Sequence, residues 1–274
     1  MQCLRRLGKI FLMTEGVQSR LVPAAEVARQ TPIIKAANGI RYALYGDTTF
    51  ADADIAHIVE AVPGSIAQAL SRKTYYFVPL AMSEGRAEDS VLIAPEYAAD
   101  LNDQAVCHRN AALGDTEGVF LSARLLGDRF ALAFEFFINI GHAFVDEAGV
   151  PGSFDELVWA QAVADVRGET SIDAWEGRAA ARAPESRLDR GSNRFDGKPA
   201  VDEKARLNYA EAAFADAVAV YLLSLAVDFD YSELREREYP LLAPQALAER
   251  LRHVAGLFPP NPNYEFAIRY RRRA

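Results

Sequence analysis

The spacing of apolar and polar residues changes character near residue 128. Before it, short runs rich in Tyr, Phe, Val and Ile at 40–45, 74–80, 91–95 and 118–126 read as β-strands, with Gly46-Asp47, Ser83-Glu84-Gly85 and Gly114-Asp115 between them. A helical stretch at 53–71 interrupts the set, and Pro63-Gly64 divides it in two. Beyond 128 the period becomes helical, over 128–148, 154–166, 203–227 and 243–257. Ser153 with Glu156 three residues later predicts a capping box at the start of the second of these helices. The polar, Gly/Pro-containing stretch 167–202 is long for a connection inside a domain, and reads as a functional flap or a surface insertion. Strands first and packed helices afterwards predict an α+β fold, a small mixed sheet packed on helices, rather than repeating βαβ units. The expected organisation is one domain over 31–258, β-rich at 31–127 and helical at 128–258. An N-terminal extension, 1–30, and a basic tail, 259–274, flank it.

Composition narrows the chemistry. Of 274 residues, 50% are hydrophobic and 25% charged, enough for a sizeable core. The formal charge of −8 opposes general binding to phosphate backbones, so no nucleic-acid partner is expected. The apolar run at 10–13 is too short for a signal peptide, and no run reaches the ~18 residues of a membrane span. A cytoplasmic protein without a membrane partner is expected, export without a signal being the alternative. Cys3 and Cys107 cannot form a cysteine-rich zinc module, and glycine-rich phosphate loops, nucleophile elbows and CxxC pairs are missing from the sequence. Any imidazole chemistry must come from His57, His108, His142 or His253. His57 and His253 sit in amphipathic helices as packing or surface residues, and His108 beside Cys107 reads as structural.

His142 lies in the 128–148 helix. At ~100° per residue, Phe130, Phe134, Phe137, Gly141, Phe144, Val145 and Ala148 make a broad apolar face, with Leu132, Phe136 and Ile140 adding bulk elsewhere. What is left is a narrow polar line, Glu135, Asn139, His142 and Asp146. Such a line faces water or lines a polar cleft, because buried polar groups need partners.

Residues 136–144, FFINIGHAF, resemble the active-site helix of the zinc metallopeptidases of the anthrax lethal-factor type, where the motif is HExGH. Over 53–225 the order of elements is also similar, with 60–70 (EAVPGSIAQAL) resembling the helical pair that precedes the strands. The resemblance implies a zincin-like fold in which His142 matches the second zinc-binding histidine. Ile138 stands in place of the first, and Asn139 in place of the general-base glutamate. The segment 212–221, AAFADAVAVY, is similar to the family's later helix carrying the third ligand, and Ala212 occupies that position. Catalytic zinc needs three protein ligands and an open position, so the cofactor the family uses has an incomplete ligand set here. Helical spacing puts Leu207, Phe214, Val218, Tyr221, Leu222 and Leu225 on one face with Glu211 among them and Asp216 opposite.

Three readings follow. In the first, the chain is a metallopeptidase-like pseudoenzyme that binds a peptide or protein along the old cleft, lined by Ile138, Asn139, Asp146 and Tyr221. In the second, a hydrolase site is rebuilt around His142 with Glu135, Asp146 or Glu211. In the third, the resemblance is accidental and the chain is a non-enzymatic α+β interaction module.

Overall fold

The computed structural model describes residues 21–83, 91–182, 202–234 and 239–269. Its content is mixed α and β, as the order of patterns predicts. The chain divides into two compact units, taken in turn below. The first comprises Met1–Asn139, Leu222–Phe229 and Phe258–Ala267, and the second Ile140–Tyr221, Asp230–Leu257 and Ile268–Ala274.

The first unit holds both sheets. In chain order its elements are β1 (Val22–Pro23), α1 (Ala24–Gln30), β2 (Ile34–Lys35), β3 (Arg41–Leu44), α2 (Asp52–Glu60), α3 (Gly64–Ala69), β4 (Lys73–Val78), β5 (Leu80–Met82), β6 (Leu92–Ala94), β7 (Ala105–Val106), β8 (His108–Leu113), β9 (Thr116–Ser122) and α4 (Ala123–Leu126). The first part of α5 (Arg129–Ala148) completes it. A five-stranded sheet has the order β2-β3-β4-β9-β8, with β3, β4 and β9 parallel and antiparallel strands at both edges. A smaller antiparallel sheet has the order β1-β6-β5-β7.

Because side chains alternate across a strand, register sorts the large sheet into two faces. Ala43, Tyr76 and Phe120 align, and they pack with Val27 and Ala24 of α1 in one buried cluster. Tyr75 and Phe77 point the other way, where Phe136 of α5 meets both rings, at centroid distances of 5.0 and 5.7 Å. Every strand of the large sheet buried on both faces is rich in Tyr, Phe, Val and Leu, as a parallel core requires. The α2–α3 break at Pro63-Gly64 exposes helix-end carbonyls, and two asparagines satisfy them. Asn38 Nδ2 donates to the carbonyls of Val59 and Val62, at 2.8 Å each. Asn261 Nδ2 donates to Glu60 and Val62, while its Oδ1 accepts from the Gly64 N–H.

The second unit contains the rest of α5, α6 (Gly152–Val163), α7 (Ile172–Arg182), α8 (Glu203–Ala226) up to Tyr221, and α9 (Pro244–Leu257). Phe214 of α8 packs between Phe154 and Phe144, 4.8 and 6.1 Å between ring centroids. Beside this cluster lies a buried polar knot. Glu169, fully buried, accepts from Arg250 Nη1 at 2.9 Å, Tyr209 Oη at 2.7 Å and Arg178 Nη1 at 3.3 Å. Gln161 Oε1 accepts from Arg250 Nε at 2.8 Å. Burial alone would push the Arg250 guanidinium down, but the Glu169 carboxylate and Tyr209 outweigh it and hold it above its ordinary value. Helix α8 is long and apolar enough to cross a membrane, yet 78% of its apolar window is buried inside the protein, which makes it a core helix.

Several expectations need correction. The helix expected at 154 begins at Gly152 behind Pro151, with no side-chain cap, so the capping box does not form and Ser153 Oγ instead meets His253 Nε2 at 2.9 Å. The expected flap contains α7, whose Arg178 is buried in the knot, and its part at 183–201 lies outside the described residues. Residues 123–126 leave the β9 strand as the short helix α4. Within the expected N-terminal extension, α1 is part of the core, while 1–20 and the tail residues 270–274 lie outside the described residues.

Replacing Glu169 with Leu leaves the buried Arg250 and Arg178 without their shared carboxylate, an uncompensated charge of the kind that costs ~3–5 kcal/mol. Urea denaturation is expected to show a fall of that size, with Asp155→Ala, at an exposed-side ion pair with Arg206, changing stability by less than ~1 kcal/mol.

Candidate functional site

In the first unit the polar residues gather at the free edge of the large sheet. The N–H of Ser122 donates to the carbonyl of Cys107 at 2.9 Å, and the β8–β9 register continues from that pair. In an antiparallel ladder the bonded residues alternate, so Arg109, Ala111 and Leu113 bond β9. The backbone N–H and C=O of His108, Asn110 and Ala112 then point outward, away from β9. No strand pairs with that edge among the described residues. The side chains of these three residues share the face that carries Leu121, Val119 and Tyr75, the face covered by Phe136.

At the start of this edge His108 Nδ1 lies 2.6 Å from Glu135 Oε1, the two side chains being 41% and 18% exposed. A carboxylate in this place fixes the ring orientation and, while Nδ1 donates to it, leaves Nε2 toward solvent. One turn beyond Glu135, Asn139 Nδ2 donates to the Glu135 backbone carbonyl at 2.9 Å, which ties its amide back onto α5. Ile138 is half-buried beside it.

In the second unit His142 and Asp146 are exposed on α5. Gly141 lies so close to α8 that a Cβ added there would sit 2.4 Å from the Ala215 carbonyl oxygen. The glycine lets the two helix backbones touch, and the residues following the contact on each helix are His142 and Asp216. Asp216 accepts a hydrogen bond from Thr170 Oγ1 at 2.7 Å and another from Ser171. Ser171 Oγ also accepts the Ala174 N–H at the start of α7. Asp216 is half-buried. Burial pushes its carboxyl up to about 6, against the hydrogen bonds from Ser171 and Thr170 and the positive charges of His142 and Arg250, which lower it.

These positions rearrange the expected site. Glu135 pairs with His108 rather than His142, which stands seven residues farther along α5, or two turns. Tyr221 is fully buried and cannot line an open cleft; burial pushes its phenol up to about 12. Glu211 is partly exposed, and the carboxylate that feels the charge of His142 is Asp216, the residue expected to point away. The reason is that α8 is apolar around most of its circumference, so periodicity selects no single buried face; Leu207, assigned to it, is 55% exposed. The available signal was Asp216 itself, the only charge between Glu211 and Asp228, since an isolated carboxylate in an apolar helix must find partners. His108 was missed because its partner is distant in sequence.

The residues do not fit a catalytic zinc. Ile138 has no donor atom, the Asn139 amide is engaged with its own helix, and among the described residues no three His, Cys, Asp or Glu side chains converge as a metal-ligand set. Comparison of the chain with family models, with curated proteins and with solved structures finds no match.

The raised Asp216 value fixes the sign of a pH effect. The folded protein favours the protonated acid, so this group's contribution to stability is fully present below the ordinary 3.8 and is lost as pH rises through about 6. Thermal melts from pH 4 to pH 7 are expected to show wild type losing stability relative to Asp216→Asn, whose amide keeps an acceptor for Thr170 and cannot ionise. Parallel curves for the two proteins would contradict the assignment.

Proposed function

We propose that the protein is a metallopeptidase-like pseudoenzyme that binds an extended peptide, or an extended segment of a protein, by adding it as a strand to the outer edge of β8. The observation that carries this reading is the edge itself: three consecutive outward-facing residues, His108, Asn110 and Ala112, with their backbone donors and acceptors unpaired among the described strands. An added strand satisfies those groups, and alternate side chains of the ligand fall on the α5 side of the sheet. The His108–Glu135 pair stands at one end of that track and offers an oriented imidazole nitrogen to a ligand carboxylate, hydroxyl or carbonyl.

Loss of zinc-dependent proteolysis is the second half of the reading. It is supported by Ile138, Asn139 and Ala212 at the positions where the resembled peptidases carry ligands and base, and by the Asn139 side chain being held on the Glu135 carbonyl. The zincin-like fold rests on the resemblance of residues 136–144 and on a strand-rich half that precedes the helix carrying them. A hydrolase rebuilt around His142 has less support, since Glu135 is taken by His108 and Tyr221 is inaccessible.

Panning random linear peptides on the immobilised protein is expected to yield binders. Ala112→Pro removes one outward N–H without touching a β9 bond, and is expected to weaken those binders by about tenfold or more. Binders indifferent to Ala112→Pro, or none at all, would sink the strand-addition reading. Protein purified in the presence of zinc is expected to hold far less than one equivalent; a stoichiometric, tightly held ion would overturn the pseudoenzyme reading.

A further inference from the structure

The chain contains one Asn-Gly pair, Asn38-Gly39, in the turn between β2 and β3. Asn-Gly is the dipeptide least protected against spontaneous deamidation, because glycine puts no side chain in the way of its own nitrogen. Here the groups that take part in that reaction are engaged. The Ala36 carbonyl holds the Gly39 N–H at 2.9 Å, and Gly39 has φ +99°, a left-handed conformation suited to glycine. Asn38 Oδ1 accepts from the Ile40 N–H at 3.1 Å, and both Nδ2 hydrogens are spent on the carbonyls of Val59 and Val62 at the α2–α3 junction.

We infer that Asn38 is a modification site, a fold-protected deamidation position whose conversion releases the α2–α3 junction. In the reaction the deprotonated Gly39 nitrogen attacks Asn38 Cγ, a C–N bond forms, the Cγ–Nδ2 bond breaks and the side-chain nitrogen leaves as ammonia. Water then opens the cyclic imide, its hydroxyl going to one of the two ring carbonyl carbons and its proton to the ring nitrogen. The products are aspartate and isoaspartate, with no change of oxidation state. In the native turn the reaction is blocked twice, since the attacking nitrogen is held by Ala36 and the amide is held by three backbone groups. It proceeds from molecules in which the turn has opened, so its rate follows local opening.

The product reverses the polarity of the contact. An amide that donates twice to helix carbonyls becomes a carboxylate that can only accept, facing the same two oxygens. Val59 and Val62 lose a donor, the Val62 carbonyl keeps only Asn261, and the like-charged oxygens repel. The isoaspartate form also inserts a methylene into the backbone of the turn that sets the β2–β3 pairing.

The test uses the full chain, incubated at alkaline pH either folded or in urea. Trypsin releases residues 36–41, AANGIR, between Lys35 and Arg41, so mass spectrometry reads the amide-to-acid conversion directly. Conversion in the folded protein is expected to be slower by about tenfold or more, the ratio set by the opening equilibrium. Equal rates, or no conversion in urea, overturn the assignment of a protected site. Asn38→Asp, the direct product, is expected to melt at lower temperature than wild type and to exchange the amide protons of 58–67 faster. An unchanged melt and unchanged exchange overturn the junction's dependence on Asn38, and if this variant does not fold the folded-to-urea rate ratio in wild type still decides.

Discussion

The burial of α5 constrains everything else in this protein that bears on function. Leu132, Ala133, Phe136, Phe137, Ile140, Ala143 and Phe144 are all buried, while Glu135 and Asn139 are half-buried and His142 and Asp146 exposed on the same helix. Phe136 alone touches two aromatic rings of the large sheet. Rings in such edge and tilted contacts add to the area they hide, so the rotation of the helix about its axis is set by packing rather than by its polar residues. Along the polar side of the helix, Glu135 meets the edge strand at His108 and His142 is exposed. Glu135 and His142 stand seven residues, or two turns, apart along α5, and Glu135 is engaged by His108.

The sequence patterns predict much of the frame. The strand-like runs at 40–45, 74–80 and 118–126 overlap β3, β4 and β9, and the Pro63-Gly64 break and the long helices follow from proline geometry and helical period. The failures have a common physical origin. Strand β8, with its polar HRN start, has no alternation of apolar residues, since only Ala111 and Leu113 pack on the cluster under α1 and no strand among the described residues pairs with its outer edge. Helix α7 reads as a polar loop because it buries only two small alanines, Ala174 and Ala181, beside an arginine, Arg178. On α8 a helix buried nearly all round hides which way any residue points, and so Asp216 and Tyr221 exchange the environments expected of them. The chemistry was less legible than the fold, because the pairs that matter, His108 with Glu135 and Thr170 with Asp216, join residues 27 and 46 apart.

Charge is handled differently in the two polar centres of the second unit. The Glu169 knot is sealed, with two guanidinium groups around one carboxylate and a phenol and an amide supplying the remaining bonds. Its members are fully used, so it fixes the packing of α6, α7 and α9 and offers nothing to a ligand. Asp216 differs in keeping partial solvent contact and a high proton affinity, while accepting from two hydroxyls. It anchors residues 170–171 at the start of α7 whether or not it is ionised, because both states accept hydrogen bonds. That makes it an anchor whose charge is optional, its ionised form favoured most by the hydrogen bonds from Ser171 and Thr170 and less by the charges of His142 and Arg250.

The edges of the large sheet bear on how β8 would choose a ligand. At β2 the paired segment is two residues long and Ile33 and Ile34 are 51% and 41% exposed, whereas β8 is longer and presents His108, Arg109 and Asn110. Charged and polar side chains on an edge discourage accidental pairing between sheets, yet they leave the backbone groups available. A ligand drawn to β8 therefore gains from main-chain hydrogen bonds that any sequence without proline can supply, and little from apolar side chains. Discrimination then falls to the one place on the track where a side chain is held in a fixed orientation, the His108 ring against Glu135. A ligand group placed there would meet an imidazole already oriented, so its recognition would not carry the entropy cost of ordering a surface side chain, and under the proposed strand addition that position would supply the selectivity.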